Sequence, residues 1–166
     1  MSEPTISPSA IWIGNDHGGV DLKREIIAHL TKRGVAFHNV GSDSPDIVRY
    51  PLYAEQVAGA VSRGEVKRGI LICSTGIGMS IIANKFLGVR ASLCTSEFMG
   101  KITRAHNDSN LLCLGGKITS RDEAIAILDA WLDTPFEGGR HSLSLDMIGD
   151  AEKVLLKNEK WTPVPK

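Results

Sequence analysis

Cys73 stands where an apolar run, a glycine-rich turn and a helical segment follow one another. The run Gly69–Cys73 predicts a buried parallel strand, residues 74–80 predict a tight turn, and a helix is predicted from Ile81 onward. Backbone N–H groups converge at such a junction, and the helix dipole adds positive potential that stabilises anions. The sequence therefore predicts a thiolate at Cys73, next to a place where an oxyanion could be held. This arrangement favours an enzyme over a binding module.

The other two cysteines, Cys94 and Cys113, lie inside apolar runs and are predicted to be buried structural residues. An isolated cysteine usually packs as a small hydrophobic residue, and only the turn after Cys73 reverses that expectation. Three cysteines without a CxxC pair indicate a reducing compartment. The first residues show no signal-peptide pattern, so the cytoplasm is the expected location.

Polar side chains also follow two other predicted strands. Asp16 and His17 come directly after the first strand, and Lys117 follows a pair of glycines at the end of the last one. Ligands of parallel sheets bind at the carboxyl ends of the strands, so we expect these side chains near Cys73. Asp16 and His17 have an alternative interpretation as caps of the following helix.

His106 precedes the last predicted strand and therefore belongs to the opposite edge of the sheet. We expect it to lie far from Cys73 of its own subunit. It could join that site only by an unusual local path or from a neighbouring subunit, which argues for a dimer. The segment 106–108 has an alternative interpretation as a helix C-terminal turn, in which Asn107 tolerates a left-handed backbone.

Strand-like and helix-like segments alternate along the chain. The clearest helical pattern runs from Ala124 to Leu132, with Ser120 as its N-cap and Glu123 completing a capping box. The strands are apolar throughout, which is typical of a sheet covered on both faces. The alternation predicts an α/β fold, a single doubly wound sandwich with a five-stranded parallel sheet. The predicted strands are Ala10–Gly14, Ala36–Val40, Gly69–Cys73, Val89–Cys94 and Leu111–Leu114, with short helices after Gly78 and over Glu97–Ala105.

The pattern changes after Pro135. Residues 136–141 are predicted to form a loop, and apolar residues at helical spacing then predict an extra C-terminal helix. This helix has no further strand to cover, so packing against a partner subunit is slightly favoured over packing on its own domain. Residues 1–9 are predicted to be a disordered lead, 10–158 one domain and 159–166 a loose tail. The apolar positions of the extra helix are Met147, Ile148, Ala151, Val154 and Leu155.

Composition and missing motifs narrow the function. The 166 residues include 19 basic and 19 acidic ones without a basic stripe or a membrane-length apolar stretch, so neither nucleic acid nor a membrane is an expected partner. Neither GxGxxG nor GxxxxGK[ST] occurs, which disfavours dinucleotide and P-loop binding. Met79 stands where a cysteine phosphatase needs its arginine. The five histidines show no metal-ligand spacing, so no metal and no cofactor are expected.

Six segments, in order along the chain, resemble the ribose-5-phosphate isomerase B family, which includes the galactose-6-phosphate isomerase subunits. The resemblance implies a Rossmann-like αβα sandwich. It also implies a homodimer, or alternatively a tetramer, with active sites at the subunit interface. It also implies metal-free interconversion of a phosphorylated aldose and its ketose. The segments are GNDHGG at 14–19, YPLYA at 50–54, GILICSTGIGMSIIANK at 69–85, GVRASLC at 88–94, HNDSN at 106–110 and EGGRH at 137–141.

The resemblance also implies roles for individual residues. Cys73 would be the base that moves a proton between C1 and C2, with Thr75 assisting the thiol. Asp16 and a partner's His106 would open the furanose ring. Backbone N–H groups after Cys73 would hold the enediolate oxygen, Asn107 a sugar hydroxyl, and His17 with Arg140 the phosphate. The expected substrate-binding residues are His17, Arg49, Tyr50, Ser74, Gly76, Gly78, Met79, Asn107, Lys117 and Arg140.

Three positions depart from the family's pattern and bear on the substrate. Ser144 stands where a second arginine usually follows Arg140, Lys117 replaces another arginine, and Arg49 replaces an acid. Ribose 5-phosphate with ribulose 5-phosphate is the expected pair, and erythrose with erythrulose 4-phosphate is the alternative. Arg49 is either a relocated phosphate ligand or a solvated loop residue.

Two rival functions remain on the sequence alone. A flavodoxin-like module could cradle the phosphate of FMN with residues 74–78. The chain could also be a catalytically weak subunit of a hetero-oligomer. The visible spectrum of the purified protein tests the first rival, and the activity of the chain expressed alone tests the second.

Overall fold

The structure is a computed structural model that describes residues 9–155, with side chains as far as Lys153. The tail predicted at 159–166, nearly all of the predicted lead, and the side chains of Val154 and Leu155 lie outside the described residues. Strands and helices alternate as the sequence predicts. The elements are β1 Ile11–Asn15, a 3-10 turn His17–Gly19, α1 Val20–Lys32, β2 Phe37–Asn39, α2 Tyr50–Ser62, β3 Gly69–Cys73, α3 Ile77–Ala83, β4 Ala91–Leu93, α4 Glu97–Asn107, β5 Leu111–Gly115, α5 Arg121–Asp133 and α6 Arg140–Leu155.

The five strands form one parallel sheet in the order β2-β1-β3-β5-β4. The predicted doubly wound αβα sandwich is thereby confirmed. The winding direction reverses between β1 and β3, and such a switch point opens a crevice at the carboxyl ends of the strands. In register, Asn15 pairs with Ile72, and Cys73 pairs with Gly115. The loops that follow β1, β3 and β5 therefore begin side by side.

The central strands are apolar because both faces of the sheet are covered. All five residues of β3 and all five of β5 are buried. One core cluster joins the sheet to α1 and α5 around the fully buried Trp131. The other joins it to α2 and α3 around Met79 and Val57. Burial on both faces fixes the positions of the strand ends and thereby of the loops that follow them.

Helix boundaries differ from the predictions at three places. α3 begins at Ile77 rather than Ile81, because Gly76 adopts a left-handed backbone with φ of 75° and reverses the chain within three residues of Cys73. α4 continues to Asn107, and the left-handed residue that ends it is Asp108 rather than Asn107. The loop predicted at 136–141 ends early, because α6 begins at Arg140.

Three apolar side chains of α6 within the described residues are exposed on the protomer. Met147 is 73% exposed and Ile148 46%, and Leu143 on the same helix is 66% exposed. The packing of this face against a partner subunit stays a prediction. None of the helices in residues 9–155 is long and apolar enough to cross a bilayer.

Candidate active site

Cys73 ends β3 with its sulfur inside a backbone turn. The thiol is 5% exposed, and the N–H of Gly76 donates a hydrogen bond of 3.1 Å to Sγ. A side chain at Gly76 would both strain the left-handed backbone and place a methyl group 2.6 Å from Leu93 Cδ1. The turn therefore depends on glycine, and its N–H group stabilises negative charge on the sulfur.

The first turn of α3 supplies further N–H groups beside Cys73. The N–H of Ser80 bonds to the carbonyl of Gly76 at 3.0 Å, so those of Gly78 and Met79 lie in the first turn, where no intrahelical acceptor exists. The Met79 side chain is fully buried, so this residue offers a ligand only its backbone. The ring of Tyr50 covers Gly78, since a methyl group there would lie 2.9 Å from Tyr50 Cζ. These groups could hold an oxyanion.

The loop after β1 touches the Cys73 turn. A methyl group on Gly18 would lie 2.8 Å from the nitrogen of Ser74, so the two backbones are in direct contact. Asp16 is 5% exposed, and its Oδ1 accepts the N–H of Gly18 at 2.8 Å. His17 Nδ1 accepts the N–H of Val48 at 3.3 Å, which leaves Nε2–H of the neutral ring as a donor. Asp16 therefore does cap the turn, and the fold also places it in the crevice with His17.

The environment of Asp16 suits proton transfer. Burial raises the pKa of its carboxyl group, while the N–H of Gly18 and the charge of His17 act in the opposite direction. A carboxyl group with a raised pKa exchanges its proton closer to neutral pH than an exposed one does.

Replacing Asp16 with asparagine is expected to stabilise the protein at pH 7 while lowering kcat by about 10²-fold or more. The amide oxygen keeps the bond to Gly18, and a buried charge is removed. Because the folded-state pKa is raised, the native wild type takes up this proton at a higher pH than the unfolded chain does. The free energy of unfolding of the wild type should therefore rise relative to that of the variant as the pH falls toward 4. Thermal unfolding at pH 7 and pH 4 measures this difference. A variant less stable than wild type at pH 7 would contradict the expectation.

Lys117, Arg49 and Tyr50 lie at the same edge of the sheet. The N–H of Lys117 donates to the carbonyl of Ser74 at 2.9 Å, and its side chain is exposed. Arg49 is the exposed residue that precedes α2, between Val48, which contacts His17, and Tyr50, which covers Gly78. Two exposed cationic residues thus belong to loops at this edge of the sheet.

Lys23 also lies at this edge, although the sequence did not predict it there. Its side chain is 1% exposed, and its Nζ donates to the carbonyl of Ser42 at 2.6 Å and pairs with Asp43. The hydrogen bond from Lys23 lowers the pKa of Asp43. This contact ties α1 to the loop that carries Val48 and Arg49. Its burial could have been predicted from its position three residues before Ile26, on the apolar face of the predicted helix.

His106 and Asn107 lie at the opposite edge. They form the last turn of α4, and the Nε of Arg90, just before β4, donates to the carbonyl of Asn107 at 2.9 Å. A strand of five residues such as β3 separates the two edges by about 16 Å. His106 and Cys73 of one protomer therefore do not meet.

The fold surrounds His106 with residues from the start of α6 and from the loop before it. The ring of His141 stacks on it with centroids 3.9 Å apart, and Glu137 Oε2 lies 3.6 Å from His106 Nε2 and 3.7 Å from His141 Nε2. Arg140, expected to bind phosphate with His17, begins α6 next to His141. We call His106, Glu137, Arg140 and His141 the amino-edge cluster. Glu137 and His141 were not predicted to have a role, because only the packing of α6 near α4 brings them to His106.

The other cysteines are confirmed as buried structural residues. Cys94 is 1% exposed and Cys113 fully buried, and neither is in a disulfide. Burial raises the pKa of Cys94 to about 12, and it raises the pKa of Cys113, as do the neighbouring thiols. Both are therefore protonated at neutral pH and unsuited to act as bases.

Comparison with known proteins is consistent with this geometry. The family model described as Ribose/Galactose Isomerase matches residues 11–148. The chain is 47% identical over 143 residues to Ribose-5-phosphate isomerase B of Escherichia coli strain K12, covering 86% of this chain and 96% of that protein. It is 36% identical over 141 residues to D-erythrulose-4-phosphate isomerase of Pectobacterium atrosepticum, covering 84% and 93%.

Solved structures agree. The structure of Clostridium thermocellum Ribose-5-Phosphate Isomerase B superposes with a TM-score of 0.85 at 47% identity, covering 87% of this chain and 98% of that one. Ribose-5-phosphate Isomerase B of Mycoplasma genitalium, solved with bound ribulose-5-phosphate, gives a TM-score of 0.83 at 38% identity, covering 87% and 96%.

Proposed function

We propose that this chain, which belongs to the ribose/galactose isomerase family, interconverts ribose 5-phosphate and ribulose 5-phosphate. The chain is an aldose–ketose isomerase of sugar phosphates. The observation that carries the assignment of its chemistry is the hydrogen bond from Gly76 to Cys73 Sγ, inside a turn that precedes the N–H groups of α3. It puts a base and oxyanion donors in one crevice.

Cys73 is the proposed base. A proton next to a carbonyl group is weakly acidic, so its removal requires a base and donors for the enediolate that forms. The thiolate takes the proton from C2 of the aldose and returns it to C1, while the hydroxyl proton passes from O2 to O1. The N–H groups of Gly78 and Met79 hold the developing oxyanion. Atoms and charge balance without a redox partner, and the backbone N–H groups stabilise the enediolate, so the proposed step needs neither a metal nor a cofactor.

The complete site is proposed to form in a dimer. Asp16 and His17 lie beside Cys73, whereas His106, Asn107 and Arg140 lie at the far edge of the same protomer. A second copy that presents its amino-edge cluster would supply His106 for ring opening and Arg140 for the phosphate. The exposed apolar residues Met147 and Ile148 of α6 offer a surface for that contact.

The test is an isomerisation assay of the purified chain over sugar phosphates of three to six carbons. We expect turnover of ribose 5-phosphate in both directions by a colourless protein. A folded protein that turns over none of these compounds would overturn the proposal and favour a weak subunit of a hetero-oligomer. A flavin spectrum would favour the FMN module. The reaction and the three free cysteines suit the cytoplasm, where we place the enzyme.

A four-carbon substrate is the alternative. It is supported by the relative named D-erythrulose-4-phosphate isomerase and by two departures from the family's arginine pattern, at Ser144 and Arg49. Ser144 is exposed one turn after Arg140 on α6, where it offers a neutral hydroxyl group. Arg49 lies at the carboxyl edge of the sheet, next to Tyr50 at the start of α2. A phosphate held by Arg49 would lie at a different distance from Cys73 and favour a different chain length.

Replacing Arg49 with alanine is expected to raise KM for the best substrate about tenfold or more, because a charge-assisted hydrogen bond is worth on the order of 1.5–3 kcal/mol. Ser144→Arg should improve ribose 5-phosphate turnover. Steady-state kinetics on both sugars measure these effects, and Arg24→Ala, an exposed arginine of α1, is the control. If wild type prefers ribose 5-phosphate and Arg49→Ala leaves KM unchanged, Arg49 is a solvated residue.

A further inference from the structure

We infer that His106, Glu137 and His141 form a binding site for a divalent transition-metal ion such as Zn²⁺, and that the bound ion inhibits the enzyme. Two imidazoles and one carboxylate are the kinds of ligand that Zn²⁺ takes, and three protein ligands leave a fourth position open. One candidate ligand atom from each of these residues lies within 4.8 Å of the others.

The distances are close to those that a metal requires. Metal–ligand bonds of about 2.0–2.1 Å at tetrahedral angles put neighbouring ligand atoms about 3.3 Å apart. Glu137 Oε2 already lies 3.6 Å from His106 Nε2 and 3.7 Å from His141 Nε2. The carboxylate therefore faces both nitrogens, and shifts of a few tenths of an ångström satisfy its two pairings.

The stacked rings define what must move. Their planes differ by 14°, so the two nitrogen lone pairs lie in nearly parallel planes and do not yet converge on one point. Binding requires the imidazoles to tilt toward each other about their side-chain torsions. Glu137 is 59% exposed and can move with the rings, whereas His141 is only 18% exposed and lies at the bottom of the site.

Neighbouring charge limits the affinity. Arg140 precedes His141, and the N-terminus of α6 adds positive potential that opposes a cation. Glu137 supplies one negative charge against the two of the ion. We therefore expect reversible micromolar binding rather than a permanent structural metal.

Inhibition rests on the proposed function. A metal bound through His106 Nε2 takes away the nitrogen that would exchange protons with the furanose ring oxygen. Occupancy of the site and ring opening then exclude each other. The metal is dispensable for the reaction, so exhaustive chelation should leave the activity of the purified enzyme intact.

The experiment separates binding from activity. Zn²⁺ titrated by calorimetry, and Co²⁺ followed by its visible absorption, should give one ion per chain with wild type. His141→Ala and Glu137→Gln should weaken binding about tenfold or more, because each removes a ligand. His29→Gln removes a half-buried imidazole elsewhere and should change nothing, and Cys73→Ser should bind as wild type does.

Activity provides the second readout. Zn²⁺ should inhibit the wild type, and a chelator should restore its activity. With each protein measured against its own metal-free rate, Zn²⁺ should inhibit His141→Ala less than the wild type. Binding that survives both cluster substitutions, or that is lost in Cys73→Ser, would overturn the site. Full occupancy without inhibition would overturn the inhibitory role and count against His106 in ring opening. Absence of isomerase activity with intact binding would count only against the proposed function.

Discussion

Cys73→Ala is expected to lower kcat by about 10³-fold or more while leaving the fold intact, because the substitution removes the group proposed to take the proton from C2. The sulfur lies in the turn formed by Gly76, and alanine fits the space of the cysteine side chain. Steady-state kinetics measure the loss, and far-ultraviolet circular dichroism with thermal unfolding verifies the fold. Cys73→Ser should stay similarly inactive, since a hydroxyl group ionises far less readily than a thiol.

The matched controls are the other two cysteines. Cys113→Ala removes a fully buried sulfur and should lower the free energy of unfolding by about 1 kcal/mol with little change in kcat. Cys94→Ala should behave in the same way. Near-normal turnover by Cys73→Ala would remove the proposed mechanism, and a loss of activity shared by all three variants would point to folding rather than chemistry.

Mixing inactive Cys73→Ala with inactive His106→Ala subunits is expected to restore activity. In a two-fold symmetric dimer with shared sites, one of the two sites of a mixed dimer combines an intact Cys73 with an intact His106. Random exchange of equal amounts makes half of the dimers mixed, so about a quarter of wild-type activity should return. Native mass spectrometry of the mixture verifies the exchange.

The control mixture combines Cys73→Ala with Asp16→Asn. Cys73 and Asp16 lie at the same edge of one protomer, so every site in a mixed dimer lacks one of them and no activity beyond that of the parents should return. Recovery in this control would show that sites are assembled differently. No recovery with His106→Ala after verified exchange would exclude either the shared site or a role for His106.

The layout of the sheet was accessible from the sequence because its signals are local. Apolar runs bounded by glycine and polar residues predicted every strand, and β3 has the predicted bounds Gly69–Cys73. The capping box at Ser120 and Glu123 also formed as predicted. Helix starts were less accessible, since the beginning of α3 depends on whether Gly76 or a later glycine turns the chain. The backbone decides this by packing Gly76 against Leu93 and the end of β5.

The sequence by itself determined the carboxyl-edge half of the candidate site. Cys73 and its turn are contiguous, and the parallel order of strands brings Asp16 and His17 to the same edge regardless of packing detail. Only the tertiary structure decided the other half. His106 meets Glu137 and His141 because α6 packs near α4, a contact between segments about 30 residues apart that no spacing rule encodes. The reason is physical: backbone turns follow from neighbouring residues, whereas contacts between helices follow from how their faces pack.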